Sequence, residues 1–112
     1  MKKILVVMLL AIVTPVLINA ASSDIEKILK VEVTEDFFTI YSIDGDFGKQ
    51  ECTTGNPIAF RVSDFPNSHD KMLSIALSAY VSGKKVSMWF SGCQNSPWSG
   101  TMPKPTSIVI QD

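Results

Sequence analysis

The residues best suited to chemistry in this sequence are two cysteines and one histidine. Cys52 and Cys93 are the only cysteines, and His69 is the only histidine. A redox-active pair requires close spacing such as CxxC to tune the thiolate, and these cysteines lie far apart. The three residues are also too few for a zinc site, and no nucleophile, base and acid are spaced as in a hydrolase triad. The sequence therefore predicts no catalytic and no metal-binding residues.

The sequence also lacks the motifs of common enzymes and of a calcium-binding loop. The sequence contains no GxSxG, P-loop or HExxH spacing. The acidic turn at Asp44 to Asp46 lacks the further oxygen ligands and the closing glutamate of an EF-hand, so a hydrated turn is favoured. His69 falls in the first turn of a predicted helix, where a solvated or capping role is favoured. We expect a protein that is not an enzyme and uses no cofactor.

Two tryptophans indicate a different chemistry, the binding of a sugar. Trp98 lies in a polar loop with Asn95 and Ser96, and Trp89 lies on a strand face opposite the predicted core. An indole ring can stack on the C–H groups of a sugar while neighbouring amides and hydroxyls bind its hydroxyl groups, as in the mixed surfaces of ligand sites. These four residues form the predicted ligand-binding set. In the alternative interpretation, both indoles cover the barrel or bury a subunit edge.

The N-terminal residues predict export. A pair of lysines precedes an apolar run from Ile4 to Val13, and small residues follow at positions 20–22. This is the pattern of a signal peptide at 1–20, cleaved between Ala20 and Ser23, which leaves one domain at 21–112. The alternative, a membrane anchor, would need about 20 apolar residues. We expect a secreted or periplasmic protein without a membrane span in the mature chain.

The charge of the mature chain argues against one class of partner. Two of the 10 Lys and Arg residues lie before the cut, which leaves 8 against 11 Asp and Glu residues, a net charge of −3. Nucleic-acid binding normally requires a clustered basic surface that displaces counterions. We therefore expect no nucleic-acid partner.

Export also bears on the two cysteines. Disulfides form and persist outside the cytoplasm, so we expect Cys52 and Cys93 to pair. Closing a loop of about 40 residues would stabilise the fold by roughly 3–4 kcal/mol in the chain-entropy model. A domain of this size has a thin core, for which such a covalent link is useful.

Five segments have the pattern of β-strands. Three of them alternate, with one apolar face each: Leu29, Val31 and Val33 in the first, Ile58, Phe60 and Val62 in the third, and Val86, Met88 and Phe90 in the fourth. The five predicted strands are 28–34, 37–43, 58–62, 85–91 and 107–111. A polar, Pro-rich loop over 94–106 is predicted to join the last two.

One segment, Asn67 to Cys93, predicts a helix that leads into a strand. Asn67 or Ser68 can cap the helix, and Gly83 supplies a left-handed stop. The predicted buried stripe follows i, i+3, i+4, i+7 spacing and consists of Leu73, Ala76, Leu77 and Tyr80, widened by Met72, Ile75 and Ala79. We expect this stripe to lie over a barrel end or a sheet face.

The resulting order, β-β-β-α-β-β, is that of the OB-fold, a five-stranded, partly open Greek-key barrel. The predicted fold class is therefore mainly β with one α-helix, arranged as an OB-fold-like five-stranded Greek-key barrel. A sheet packed on one helix with other connections could give the same string of elements.

The helix followed by SGKKVSMWF, together with export and the OB-like order, resembles the B subunits of bacterial AB toxins of the pertussis, typhoid and subtilase kind. The chain is also similar to small uncharacterised exported bacterial proteins in which GKKV is followed by a strand and GC. The matching part runs from about Cys52 to Cys93. The toxin resemblance implies a homopentamer that binds sialylated or other host glycans and docks an enzymatic A subunit. Cys93 lies closer to the helix than the second cysteine of those toxin subunits, and no family binding residue is carried over.

The sequence thus supports two hypotheses. In the first, the protein is an exported, non-enzymatic binding protein, an oligomeric glycan-binding subunit resembling toxin B subunits. In the second, it is a monomeric periplasmic or secreted structural domain that binds another protein and no glycan.

Overall fold

A computed structural model describes residues 20–111 of the chain. The predicted signal peptide lies outside the described residues, except for its cleavage region. The strands are β1 (Ala20–Ser22), β2 (Glu26–Val33), β3 (Phe37–Ser42), β4 (Ile58–Arg61), β5 (Lys85–Asn95) and β6 (Thr101–Gln111). A 3-10 turn (Val62–Asp64) and one α-helix, α1 (His69–Ser82), separate β4 from β5 in this part of the chain. The mainly β class with one helix is therefore confirmed, and β1 is an additional strand that the sequence did not predict.

Strand β5 is the centre of an antiparallel six-stranded sheet. One of its edges pairs first with Glu26 and Lys27 of β2 and then with β1, while β6 pairs along its other edge. On the far side of β2, β3 and then β4 complete the sheet. Cleavage of the chain after Ser22 would remove β1, whereas cleavage after Ala20 would retain two of its three residues.

The two ends of this sheet, β4 and β6, contact each other, but no backbone ladder joins them among the described strands. The carbonyl of Thr101 accepts from the amides of Thr53 and Thr54, so it points away from β5. Because a strand alternates with a period of two residues, Pro103 and Pro105 present this same edge. Proline has no N–H to donate, so this edge of β6 is a poor partner for a further strand.

The same geometry explains why the predicted loop at 94–106 is wrong. Strand β5 continues to Asn95 and β6 already begins at Thr101, so only residues 96–100 connect them. The prolines are tolerated within β6 because their missing N–H groups face away from the ladder with β5. Sequence composition alone does not show which edge a proline faces.

Aromatic and aliphatic side chains from β3, β4 and β5 fill the core beneath α1. The rings of Phe38 and Phe60 stack with their centroids 4.6 Å apart. The alternation predicted for β5 is confirmed, since its three inward residues are buried: Val86, Met88 and Phe90. Phe47, which directly follows the acidic turn at Asp44 to Asp46, is also fully buried.

The face predicted for β2 is wrong in detail. Ile28 is buried and Leu29 is exposed, because a bulge shifts the register between Ile28 and Lys30. A bulge adds one residue to one strand and so reverses the inward and outward positions beyond it. Val33, at the last position of β2, is exposed as well. In β4, the strand ends at Arg61, and Val62 is an exposed residue of the 3-10 turn.

The helix is found where the sequence predicts it, but its buried face is rotated. It ends at Gly83, which adopts a left-handed φ of 72°, whereas Ser68 at the N-cap makes no side-chain capping bond. The buried residues are Met72, Ala76 and Ala79, while Leu77 and Tyr80 of the predicted stripe are exposed. Two alanines on the buried face allow the helix backbone to approach the sheet closely.

Candidate functional site around Trp98

The predicted disulfide between Cys52 and Cys93 is confirmed, with Cα atoms 5.8 Å apart. It joins the loop before β4 to the last third of β5. Next to it, the amides of Thr53 and Thr54 donate to the carbonyl of Thr101 at the start of β6. The disulfide at Cys93 and the two hydrogen bonds at Thr101 therefore fix the chain on both sides of the connection between β5 and β6.

This connection carries Trp98. Its indole is 55% exposed and meets the ring of Phe37 edge-on, with centroids 6.2 Å apart and planes at 85°. The amide of Trp98 donates to Ser96 Oγ at 3.0 Å, and the amide of Ser96 donates to the carbonyl of Gly100 at 2.9 Å. Local hydrogen bonds thus define the loop, and Phe37 supports an indole that is open to solvent.

Arg61 lies beside this aromatic pair. It is the register partner of Phe37 across β3 and β4, and adjacent partners project to the same side of a sheet. Its Nε donates to Gln94 Oε1 at 3.0 Å and its Nη2 donates to the carbonyl of Asn95 at 2.5 Å. A cationic group is therefore fixed next to Phe37, the residue that supports the exposed indole. We call Phe37, Arg61, Asn95, Ser96 and Trp98 the Trp98 cluster.

Gln94 connects the cluster to the open side of the sheet. Its Nε2 donates to the carbonyl of Ala59 on β4 at 2.9 Å and to that of Pro103 on β6 at 3.2 Å. The amide of Ala59 in turn donates to Met102 Sδ at 3.3 Å. Side chains thus provide the hydrogen bonds that a ladder between β4 and β6 would otherwise make.

Of the four predicted ligand-binding residues, the structure brings three together. Asn95, Ser96 and Trp98 belong to the cluster. Trp89 lies on β5 six positions before Asn95, up to roughly 20 Å from it at the usual rise of a strand. Trp89 pairs with Ser22 and Ser107 and is 52% exposed. Trp89 therefore lies in the middle of the β5–β6 ladder, whereas Trp98 lies in the loop beyond its end.

The sequence favours a solvated or a capping role for His69, and the structure shows a bond to β4 instead. It is half-buried, with Nε2 at 2.9 Å from the carbonyl of Phe60 and its ring centroid 5.1 Å from that of Phe38. Because a carbonyl oxygen only accepts, Nε2 must carry the proton in this bond. The imidazole thus links the start of α1 to β4.

A second polar group lies on the β2–β3 hairpin. Tyr41 donates its hydroxyl to Glu32 Oε1 at 3.0 Å, and Lys30 Nζ lies 4.4 Å from the centre of its ring. Burial, and then the hydrogen bond and negative charge of Glu32, raise the pKa of the Tyr41 phenol above its usual range.

Within residues 20–111, no helix is long and apolar enough to cross a membrane. The same residues contain no group of three or more His, Cys, Asp or Glu side chains placed to hold a metal ion. A comparison of the chain with protein-family models, with curated proteins and with solved structures found no match.

Sequence reasoning missed Phe37 and Arg61 as members of the cluster. Both appeared only as strand residues, because nothing local indicates that they would pair with each other and face the loop that contains Trp98. The predicted loop over 94–106 includes Gln94, which the structure places in β5. The polar character of 94–99 was the one signal that pointed to this region.

Proposed function

We propose that the protein is an exported, non-enzymatic binding protein that recognises a glycan through the Trp98 cluster. The observation that carries this proposal is the geometry of Trp98, an indole more than half exposed yet supported by the ring of Phe37. An exposed ring with fixed orientation loses little entropy when a flat ligand surface stacks on it. Arg61, Asn95 and Ser96 supply polar groups around that surface.

The chemistry of the cluster favours a sugar over other ligands. A sugar ring offers C–H groups to the indole and hydroxyl groups to donors and acceptors at its rim, which matches an apolar surface with few polar groups. The mature chain is expected to carry a net charge of −3, which argues against nucleic acid. His69, the only histidine, is engaged by the carbonyl of Phe60, which favours binding without catalysis.

The arrangement of the strands supports an OB-like barrel. Leaving out the short β1, the sheet runs β4-β3-β2-β5-β6, and its two end strands contact each other. OB-folds bind oligosaccharides and oligonucleotides on the face of their second and third strands and on the loops that precede the second and the fifth. Here Phe37 and Arg61 lie on the corresponding strands, β3 and β4, and Trp98 lies in the corresponding last loop.

The resemblance to toxin B subunits supports the same class of function. It adds a pentamer and an enzymatic A subunit as proposals. Several copies of the cluster in one oligomer would increase the affinity for a multivalent glycan through effective concentration, without any new contact.

A glycan array followed by calorimetry on the best ligand tests the proposal. The oxidised exported protein should bind at least one class of glycan, and Trp98→Ala should lower the affinity by about tenfold or more. Trp89→Ala is the matched control, because Trp89 is about as exposed but lies in the middle of the β5–β6 ladder and not in the loop beyond its end. No binding by the wild-type protein would remove the glycan proposal. Loss of binding in Trp89→Ala but not in Trp98→Ala would mean that the glycan binds at Trp89 instead.

The alternative, a structural domain that binds proteins and no glycan, is favoured by one observation. Helix α1 leaves Leu77, Tyr80 and Val81 exposed to solvent. A wild-type protein that ignores glycans but associates through this helix would support the alternative.

A further inference from the structure

Two aromatic side chains project from the same face of β3. Phe37 and Tyr41 are four positions apart, and the side chains of a strand alternate between its two faces with a period of two residues. Phe38 and Ile40, which point the other way, are fully buried in the core. Phe37 and Tyr41 therefore lie on the outer face of the sheet, where Phe37 meets Trp98.

The ring of Tyr41 is held in place by two neighbours on β2. Its hydroxyl donates to Glu32 Oε1 at 3.0 Å, and Lys30 Nζ lies 4.4 Å from the centre of the ring. Glu32 pairs with Thr39, which lies two positions closer to Phe37 along β3. The phenol therefore leans along β3 towards Phe37.

The side chains around this ring offer polar groups to a ligand. Lys30 and Glu32 are both exposed. A carboxylate accepts hydrogen bonds at two oxygens, of which the phenol uses one, and an ammonium group has three donors. Thr39 is fully buried, so the outer surface here is formed by the larger side chains around it. We call Lys30, Glu32 and Tyr41 the Tyr41 group.

One strand connects the Tyr41 group to the Trp98 cluster. Phe37, a member of the cluster, lies four positions before Tyr41, which places their Cα atoms roughly 13 Å apart. The ladders from β3 to β2 and β4 are regular over these positions, so the backbone fixes both the distance and the shared face. A single sugar ring is shorter than this span, whereas a chain of several sugars can contact both ends.

We propose that the ligand is an oligosaccharide and that the Tyr41 group binds the units beyond the sugar at Trp98. This binding mode rests on the proposed glycan function and adds to it the length of the ligand and three contact residues. The phenol ring provides an apolar surface, while Lys30 donates to sugar hydroxyl groups and Glu32 accepts from them. Two contact points on one sheet raise the affinity through effective concentration, even where each is weak.

A glycan array that carries each glycan together with its mono-, di- and trisaccharide fragments tests the proposal. The wild type should bind the longer members of a series about tenfold or more tightly than the monosaccharide. Tyr41→Ala should remove this gain and leave binding of the monosaccharide unchanged. Tyr80→Ala is the matched control, because it makes the same change at an exposed tyrosine of α1 and should retain the gain. Circular dichroism checks that the variants are folded.

Lys30→Ala tests the same group without altering the aromatic ring. Lys30 is exposed, and exposed positions of this kind seldom affect the fold. The gain in affinity with length should fall by roughly two- to tenfold, the value of about one hydrogen bond.

The outcomes separate this proposal from the glycan function itself. Equal affinity for monosaccharides and longer glycans would overturn the extended site and leave binding at Trp98 standing. So would a gain with length that survives in both Tyr41→Ala and Lys30→Ala. If the wild type binds no glycan on the array, the proposed function fails, and the extended site fails with it.

Discussion

The side-chain amide of Gln94 donates to the backbone carbonyl of Ala59 across 2.9 Å and so connects β5 to β4 at the open side of the sheet. The same nitrogen donates to the carbonyl of Pro103 on β6. Since Pro103 and Pro105 leave that edge of β6 without N–H donors, the side chain of Gln94, together with Met102 Sδ, connects two strands that have no ladder between them. Gln94 also orients Arg61, so stability and the candidate site depend on the same residue.

Gln94→Ala should lower the free energy of unfolding by about 2–3 kcal/mol, because it leaves the buried carbonyl of Ala59 without this donor. Urea unfolding monitored by circular dichroism measures the change. Gln111→Ala is the control, since its amide bonds only to Ser87 Oγ at the end of β6, and it should cost less than about 1 kcal/mol. Equal effects of the two substitutions would show that Gln94 has no special role at this edge.

Removing the disulfide should have a larger effect. Cys52 and Cys93 are separated by 41 positions, and a closed loop of that length stabilises a fold by about 4 kcal/mol in the chain-entropy model. The double variant Cys52→Ser, Cys93→Ser should therefore lose much of the 5–15 kcal/mol that is usual for a domain.

The measurement is the midpoint of urea unfolding of the double variant against the oxidised wild type. The reduced wild type serves as the control, because it lacks the same bond without any substitution. Two free thiols in the exported, non-reduced protein would contradict the pairing directly.

The parts of this fold that could be predicted are those fixed by local chemistry. The ends of α1 followed from a polar start and from Gly83, and the inward face of β5 followed from Val86, Met88 and Phe90. The disulfide followed from the number of cysteines and the expected compartment. Each of these depends on a short segment or on a simple count.

The parts that could not be predicted depend on contacts between distant segments. The bulge at Leu29 is a property of the pairing with β3, and the buried arc of α1 depends on where the sheet lies. Pro103 and Pro105 favour a loop when only the sequence is considered. Their missing N–H groups face away from β5, and this is known only once β6 is paired with β5. The contact between Trp98 and Phe37 joins the loop between β5 and β6 to strand β3, and these two segments are far apart in the sequence. No pattern within either segment indicates the contact.

The raised pKa of Tyr41 predicts a loss of stability in alkaline solution. A phenol whose pKa in the folded protein lies above its unfolded value of 10.0 contributes stability below pH 10, and this is lost as the pH rises through the folded pKa. Deprotonation places a phenolate beside Glu32, in a partly buried site. Glu32→Gln should therefore lower the pKa of Tyr41, although burial, the larger cause, remains.

Tyrosinate absorbance measures this pKa directly. The chain has two tyrosines, so Tyr80→Phe leaves Tyr41 as the only phenol, and the titration is then repeated with Glu32→Gln added. If the two titrations coincide, Glu32 does not influence the phenol. A smaller alkaline loss of stability in Tyr41→Phe than in Tyr80→Phe is the expected companion result.

The orientation of Trp98 should depend on Phe37. An edge-to-face aromatic pair contributes about 0.5–1.5 kcal/mol beyond its buried area, so Phe37→Leu should loosen the indole and lower glycan affinity by roughly two- to tenfold. In a Trp89→Phe background, Trp98 is the only tryptophan, and its fluorescence anisotropy should fall when Phe37 becomes leucine. Phe37→Tyr retains the ring and should preserve both the anisotropy and the affinity. An unchanged anisotropy in the leucine variant would mean that hydrogen bonds within the loop, at Ser96 and Gly100, hold the indole without help from β3.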